Sequence, residues 1–117
     1  MPRVETFPAR TPSAEDPVLG EIVRRLVSAY QPEKIYLFGS VARGEADPDS
    51  DFDIMVVVPD EARDQLQDCD AAYEVLRGLG IAKDILVWKH SDFQARLALR
   101  ASLPSTIIQQ GKLLYAA

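Results

Sequence analysis

The chain has 117 residues, of which 47% are hydrophobic and 26% are charged, and its formal net charge is −5. This composition favours one small folded domain over a disordered chain, and the acidic balance argues against a general nucleic-acid binder, because such proteins neutralise many phosphates with Lys and Arg. The single cysteine, Cys69, excludes an intramolecular disulfide and provides no Cys-His zinc spacing. No apolar run approaches membrane-spanning length, and no hydrophobic signal core opens the sequence, so a cytoplasmic protein without membrane contact is expected.

The first elements in chain order are an arm, a helix and a strand. Residues 1–17 contain four of the eight prolines and are predicted to form a flexible arm, which leaves residues 18–117 as the predicted domain. Apolar residues between 18 and 30 recur at the spacing of an amphipathic helix. Residues 34–38, which are apolar from Ile35 onward, then predict a strand that leads into Gly39.

Gly39 and Ser40 end this strand, and Ser40 is predicted to cap a short helical turn over 41–43. Glycine lets a ligand approach the backbone closely, and a helix start preceded by glycine presents free N–H groups to a phosphate. Arg43 adds a planar, permanently charged donor group that suits phosphate oxygens. The segment is therefore a candidate phosphate-binding site, although a junction of this kind is by itself common.

Asp51 and Asp53 stand at the start of the next apolar strand. Because side chains alternate between the faces of a strand, these two carboxylates are predicted to share one face. The opposite face then carries only apolar residues, namely Phe52, Ile54, Val56 and Val58. A cation between two neighbouring carboxylates keeps both ionised, and Mg²⁺ prefers such oxygen ligands. The alternative is that both aspartates only end the polar loop 44–50, whose own acidic residues are predicted to be solvated.

The run 83–88 predicts a third strand with one carboxylate, Asp84. Alternation places Asp84 and Trp88 on the same face, so Asp84 could meet the two aspartates of the second strand across the sheet. The alternative for Asp84 is an edge-strand charge that discourages aggregation. Trp88 could flank a nucleotide base or simply fill space below the site.

The remaining predicted elements are mostly helical. Apolar spacing predicts a helix from about 62 to 78, with Cys69 on its buried face. Ser91 and Gln94 read as a capping box that opens another helix, which is expected to run to about Ser102 and stop before Pro104.

Three basic residues near this helix have open roles. His90 is predicted to be a surface residue, because no partner is evident in the sequence. Arg96 and Arg100 lie four apart on one side of the helix, and they form either a solvated face or a contact strip for an acidic partner. The tail is predicted to add one helical turn, a break at Gly111 and a short strand over 112–115.

The central segment carries a family resemblance. Gly39-Ser40, ten intervening residues and Asp51-Phe52-Asp53, with Ala42-Arg43-Gly44 inside the gap, resemble the signature of the minimal nucleotidyltransferases of the DNA polymerase β superfamily. The specific part of the match spans 35–58, and nearly the whole chain from Leu19 onward is compatible with it. The predicted fold is α/β, a small mixed β-sheet with helices packed on one face and the metal site on the other.

The resemblance also implies the site and its ligands. Asp51, Asp53 and Asp84 are the implied catalytic residues and the ligands of two Mg²⁺ ions. A separate group, Gly39, Ser40 and Arg43, is implied to bind the triphosphate of ATP or another nucleotide. The implied reaction transfers AMP to a hydroxyl group of an acceptor.

Short stand-alone members of this group resemble the antitoxins encoded beside HEPN-type toxins. That resemblance implies a tyrosine of the toxin as acceptor, and a homo-oligomer or a hetero-oligomer with the toxin. Three alternatives remain. Modification of a small molecule such as an aminoglycoside is disfavoured because no acceptor-binding domain follows, and a non-catalytic toxin-binding module would not need three carboxylates. A glycosyltransferase would use the DxD pattern but not the Gly-Ser pair.

Overall fold

The structure of the protein is a computed structural model that describes residues 17–44, 52–62, 74, 76–77 and 82–117, except for the side chains of Ser40 and of 82–84. In chain order its elements are α1 (Pro17–Tyr30), β1 (Lys34–Phe38), α2 (Gly39–Arg43), β2 (Phe52–Val58), β3 (Ala82–Lys89), α3 (His90–Leu97), α4 (Leu103–Gln110) and β4 (Lys112–Ala116). Several predictions lie outside the described residues: the arm up to residue 16, the loop 45–50, Asp51, and most of the helix at 62–78, including Cys69.

The four described strands form one mixed sheet in the order β3-β2-β1-β4. Strand β1 is antiparallel to both β2 and β4, whereas β2 and β3 are parallel. A parallel pair needs a long crossover between its strands, and residues 59–81 make that connection. The predicted α/β class and mixed sheet are confirmed.

A first hydrophobic cluster lies between α1 and one face of the sheet. The amphipathic stripe of α1 faces inward, and both Ile22 and Leu26 are completely buried. The apolar face of β2 joins this cluster as alternation predicts, through Phe52, Ile54, Val56 and Val58. Leu76, from the stretch before β3, is buried in the same cluster.

A second hydrophobic cluster lies on the opposite face of the sheet, which corrects the prediction that helices cover one face only. Phe93 of α3 and Ile107 of α4 are buried there against Met55 and Val57 of β2. The ring of Phe93 stacks on Tyr36, with 5.6 Å between the ring centroids. The correction has a physical cause: Met55 and Val57 are apolar, so both faces of β2 need cover along most of its length.

The helical region after β3 also differs from its prediction. The capping box is wrong, because α3 begins at His90, one residue before Ser91, and its N-cap residue makes no side-chain capping hydrogen bond. The helix ends at Leu97 and a second one begins at Leu103, where the Ser102 hydroxyl accepts a hydrogen bond from the Ser105 N–H at 3.2 Å. Proline fits the first turn of a helix, so Pro104 lies inside α4 instead of stopping its predecessor.

The tail follows its prediction more closely. Helix α4 is longer than the single turn expected, Gly111 follows it, and β4 pairs with β1. Within the described ranges, none of the helices combines the length and apolarity needed to cross a lipid bilayer.

Candidate active site

The junction between β1 and α2 forms one side of the candidate site. Strand β1 ends at Phe38, and Gly39 turns the chain with a φ of +79°, a value that glycine adopts readily. Val41 and Ala42 are buried in the first cluster and hold the short α2 in place. The helix starts at Gly39, two residues earlier than predicted, and ends before Gly44, whose φ is +75°.

Asp53 of β2 lies directly against Gly39. The antiparallel register pairs Asp53 with Phe38, the residue that precedes Gly39. A Cβ atom placed on Gly39 would overlap Oδ2 of Asp53 and would lie 3.0 Å from its Cγ. Glycine is therefore required at position 39 both by its backbone angle and by the carboxylate beside it. The tertiary structure joins the predicted phosphate-binding segment to one of the predicted metal ligands.

Asp84 is the partner of Asp53 in the neighbouring strand. The parallel register of β2 and β3 shifts between Phe52 and Asp53: Phe52 pairs with Ala82, and Asp53 pairs with Asp84. The shift passes over Lys83, which would otherwise stand beside Asp53. Such irregularities are frequent next to active sites, where they change which side chain faces a neighbour. The backbone thus places the second and third predicted carboxylates at adjacent positions.

The remaining members of the predicted site are described in part. Arg43 is exposed at the last residue of α2, and Asp53 is partly exposed. Asp51 lies outside the described residues, as do the side chains of Ser40 and Asp84. Among the described side chains, no three metal-binding groups converge. Oxygen ligands at the start of β2, next to a glycine that leaves the backbone accessible, suit a hard cation and a phosphate.

A second polar group lies around the start of α3, and sequence reasoning missed it. His90 is exposed as predicted, but its Nδ1 lies 2.7 Å from Oε1 of Glu33, the residue before β1. Asp60 accepts a hydrogen bond from the Ser91 N–H at 2.8 Å, and this bond lowers the pKa of Asp60. These contacts join residues 57 and 31 positions apart in the sequence, so no local spacing reveals them.

Trp88 lies away from the predicted carboxylates. It pairs with Val57, four positions along β2 from Asp53, which corresponds to roughly 13 Å of strand. Its ring packs edge-on against Phe93 at 6.5 Å, and the guanidinium of Arg96 lies 5.8 Å from the ring centre. Of the two roles considered for Trp88, these contacts support the filling of space.

Comparison with known proteins agrees with the fold. A family model described as a nucleotidyltransferase domain matches residues 19–113. A crystal structure of a Sulfolobus solfataricus protein, provisionally described as a nucleotidyltransferase, is 24% identical; the alignment covers 85% of this chain and 78% of that one, with a TM-score of 0.57. A crystal structure of a toxin-antitoxin with AMP-PNP is 24% identical over 83% of this chain and 73% of that one, with a TM-score of 0.54.

The two structures show likeness of fold. No functionally curated protein matches the sequence at a significant level. The family model spans most of the chain, including β1, the Gly39 turn and the strands that carry Asp53 and Asp84. The chain therefore belongs to the nucleotidyltransferase domain family.

Proposed function

We propose that this protein is a Mg²⁺-dependent nucleotidyltransferase that transfers AMP from ATP to a tyrosine hydroxyl of a cognate HEPN-type toxin, and so acts as its antitoxin. The observation that carries the proposal is the contact of Asp53 with Gly39, with Asp84 in register beside it. A carboxylate held against the turn that follows β1 brings a metal ligand next to a backbone suited to phosphate. Membership of the nucleotidyltransferase domain family supports this chemistry.

Each residue of the site has a proposed role. Gly39 and Ser40 would hold the β and γ phosphates of ATP, and Arg43 would add positive charge nearby. Asp51, Asp53 and Asp84 would hold two Mg²⁺ ions. Bound Mg²⁺ would neutralise the charge of the triphosphate and of the leaving pyrophosphate.

The proposed reaction is a displacement at the α phosphorus of ATP. The tyrosine oxygen forms a bond to that phosphorus, the bond to the β-phosphate oxygen breaks, and pyrophosphate leaves. Asp84 would take the hydroxyl proton, which requires a carboxylate oxygen within hydrogen-bond distance of the acceptor. The products are a tyrosine-AMP ester and pyrophosphate.

One observation supports the choice of a protein acceptor. A structure with a similar fold is a toxin-antitoxin with AMP-PNP, an analogue of ATP. A small hydroxylated molecule such as an aminoglycoside is the alternative acceptor.

The test is a transfer assay with the protein encoded by the neighbouring gene. The purified chain is incubated with Mg²⁺, ATP labelled at the α phosphate and that protein, and the label is located by mass spectrometry. Asp53→Asn is expected to lower transfer at least a thousandfold, equivalent to about 4 kcal/mol of lost transition-state stabilisation. Chelation of divalent ions should have the same effect.

A matched control separates chemistry from folding. Asp92→Asn makes the same exchange at an exposed position of α3 and should leave transfer unchanged. Both variants should keep the thermal midpoint of the parent within a few degrees. Full transfer by Asp53→Asn would contradict the metal assignment. Tight complex formation without label would support a binding module, and label only on an aminoglycoside would move the acceptor to small molecules.

A further inference from the structure

Charge is divided unevenly along the chain. Residues 1–92 contain ten basic and eighteen acidic residues, a net charge of −8, whereas residues 93–117 contain three basic residues and no acidic one. The three are Arg96, Arg100 and Lys112. A positively charged segment on an acidic protein favours association with an acidic partner.

The same segment carries the exposed apolar side chains. Within the described part of the chain, the large hydrophobic residues that are exposed are Leu99, Ile108 and Leu113, at 59%, 49% and 54%. Single exposed apolar residues are ordinary on protein surfaces. Of the three, Leu99 is the most exposed, and it is the one that lines a groove.

Leu99 belongs to a groove between α3 and α4. The groove is open and has a volume of about 490 Å³, and its lining consists of Trp88, Arg96, Leu99, Ala101, Ser102 and Leu103. The connection between the helices is held by hydrogen bonds. Leu99 N–H donates to the Arg96 carbonyl at 3.0 Å, Ser102 N–H donates to the Leu99 carbonyl at 3.1 Å, and the Ser102 hydroxyl donates to the Arg96 carbonyl at 2.5 Å. Leu99 is thus held in an exposed position before any partner arrives, which lowers the entropic cost of binding.

Arg96 supplies the charge at this groove. Its guanidinium rests over the Trp88 ring, 5.8 Å from the ring centre. Within the described residues Arg96 forms no ion pair, whereas Arg24 and Arg25 both bind Glu21. A guanidinium that stacks on an aromatic ring keeps its edge available for a carboxylate. The groove therefore combines an apolar wall with an available cation.

We propose that this groove binds an acidic segment of the protein acceptor, with an apolar side chain of that segment between Trp88 and Leu99 and its carboxylates near Arg96 and Arg100. The inference rests on the proposed function, because it names where the acceptor docks. A nucleic acid is a poorer fit. Three basic residues cannot neutralise many phosphates, and residues 1–92 carry a net charge of −8 that repels them.

The distance to the candidate active site sets a further condition on the acceptor. Trp88 and Asp53 lie on the same face of the sheet, as Met55 and Val57 of the second cluster do. Roughly 13 Å of strand separates their positions, and an extended peptide needs at least four residues to span that length. The modified tyrosine should therefore lie at least four residues from the acidic, apolar segment.

The test measures binding and transfer separately with the protein encoded by the neighbouring gene. Leu99→Ser and Arg96→Glu should each weaken equilibrium binding about tenfold or more, as expected for residues at the centre of an interface. In the transfer assay, KM for the acceptor should rise while kcat stays unchanged, because the groove lies away from the reacting atoms. Added salt should weaken binding of the parent chain more than that of Arg96→Glu.

Matched controls lie in the same segment but outside the groove. Leu113→Ser removes an equally exposed leucine, and Lys112→Glu makes the same charge change; both should bind as the parent does. Equal weakening by Leu99→Ser and Leu113→Ser would overturn the groove as the docking site. So would unchanged binding by Leu99→Ser.

Other occupants give different results. Binding to phosphatidylserine vesicles that Leu99→Ser abolishes, with partner binding intact, would overturn the proposal in favour of a membrane. A concentration-dependent dimer that Leu99→Ser disrupts, again with partner binding intact, would overturn it in favour of a second copy. If transfer proceeds but Leu99→Ser has no effect on KM or binding, the docking inference fails and the proposed function stands. If Leu99-dependent binding occurs without transfer, the docking surface stands and the enzymatic proposal fails.

Discussion

The two faces of the sheet are covered in different ways. On the first face, α1 buries Ile22 and Leu26 completely, and its outward charges form ion pairs, with Glu21 bound to both Arg24 and Arg25. On the second face, α3 and α4 bury Phe93 and Ile107 but leave Trp88 partly exposed. The groove between them contains an exposed leucine and an arginine without an ion pair in the described part of the chain.

Under the proposed function, this difference separates stability from function. Asp53, which alternates with Met55 and Val57 along β2, belongs to the second face. A surface that binds a partner leaves apolar side chains such as Leu99 exposed, and their exposure contributes nothing to stability. The first face compensates for this lack of stabilisation, because its cluster contains most of the described apolar residues that are buried.

The largest expected effect is a loss of stability when the first face of the sheet is altered. Leu26→Ala should lower the free energy of unfolding by about 2 to 5 kcal/mol, because it removes a completely buried side chain from the first cluster. Urea denaturation measures this loss. Ser28→Ala, on the exposed side of α1, is the control and should change little. On the second face, Leu99→Ala should stay within about 0.5 kcal/mol of the parent. Similar losses at Leu26 and Leu99 would remove the distinction between the faces.

The next largest effect concerns the contact between Gly39, which follows β1, and Asp53 of β2. Gly39→Ala should cost about 1 to 3 kcal/mol, because the added methyl group meets Asp53 and because φ at Gly39 is positive. Transfer should fall by about a hundredfold, since small displacements at an active site have effects of this size. Gly44→Ala is the control for the backbone angle, as it shares the positive φ but has nothing within 4 Å of the added methyl group. Equal transfer by both variants would show that the Asp53 contact is unimportant.

A smaller effect concerns the start of α3. The hydrogen bond from Ser91 lowers the pKa of Asp60 from its usual 3.8. Because the folded pKa lies below the unfolded one, the stabilisation is present above the unfolded pKa and is lost as the pH falls through the folded pKa. Thermal midpoints between about pH 5 and about pH 2 should therefore fall less in Asp60→Asn than in the parent. Asp60→Ala should lower the thermal midpoint even at neutral pH, because it removes the oxygen that accepts the hydrogen bond from the Ser91 N–H. Parallel pH curves for Asp60→Asn and the parent would contradict this role.

The smallest effect concerns the ion pairs on α1. Hydrogen bonds from Arg24 and then Arg25 lower the pKa of Glu21 from 4.5 to about 2. The stabilisation is present above pH 4.5 and is lost as the pH falls towards 2. Glu21→Gln should flatten this dependence and lower the thermal midpoint by a degree or two in low salt. In about 1 M salt the difference from the parent should disappear, because exposed ion pairs are screened. A difference that persists in high salt would indicate a packing role for Glu21.

Local sequence patterns were sufficient for many elements. The strand over 34–38 has the predicted bounds, α1 begins one residue before its predicted start, and the apolar face of β2 is buried as alternation requires. These features depend on the period of side chains along a helix or strand, which the sequence displays directly. The spacing from Gly39 to Asp53 identified the family. This spacing is also visible in the sequence, because the two residues lie close together in the chain.

Long-range packing decided the features that sequence reasoning missed. Two helices follow β3 instead of the one predicted. Ser102 separates them, because its hydroxyl forms a hydrogen bond to α3 and caps α4. The predicted capping box failed because Asp60, 31 positions away, binds the Ser91 N–H. The sequence showed the charge of the segment that lines the groove, because no acidic residue follows Asp92, but it did not show the groove itself.

The sequence by itself determined the fold class, the strand that carries Asp53 and the glycine turn before it, because each is encoded by neighbouring residues. Only the tertiary structure decided that Gly39 touches Asp53, that Asp84 and not Lys83 stands beside it, and that an open groove lies farther along the same face. Periodicity tells which side of an element is buried. It does not tell which element covers that side, or how completely, because that choice depends on contacts between residues far apart in the chain.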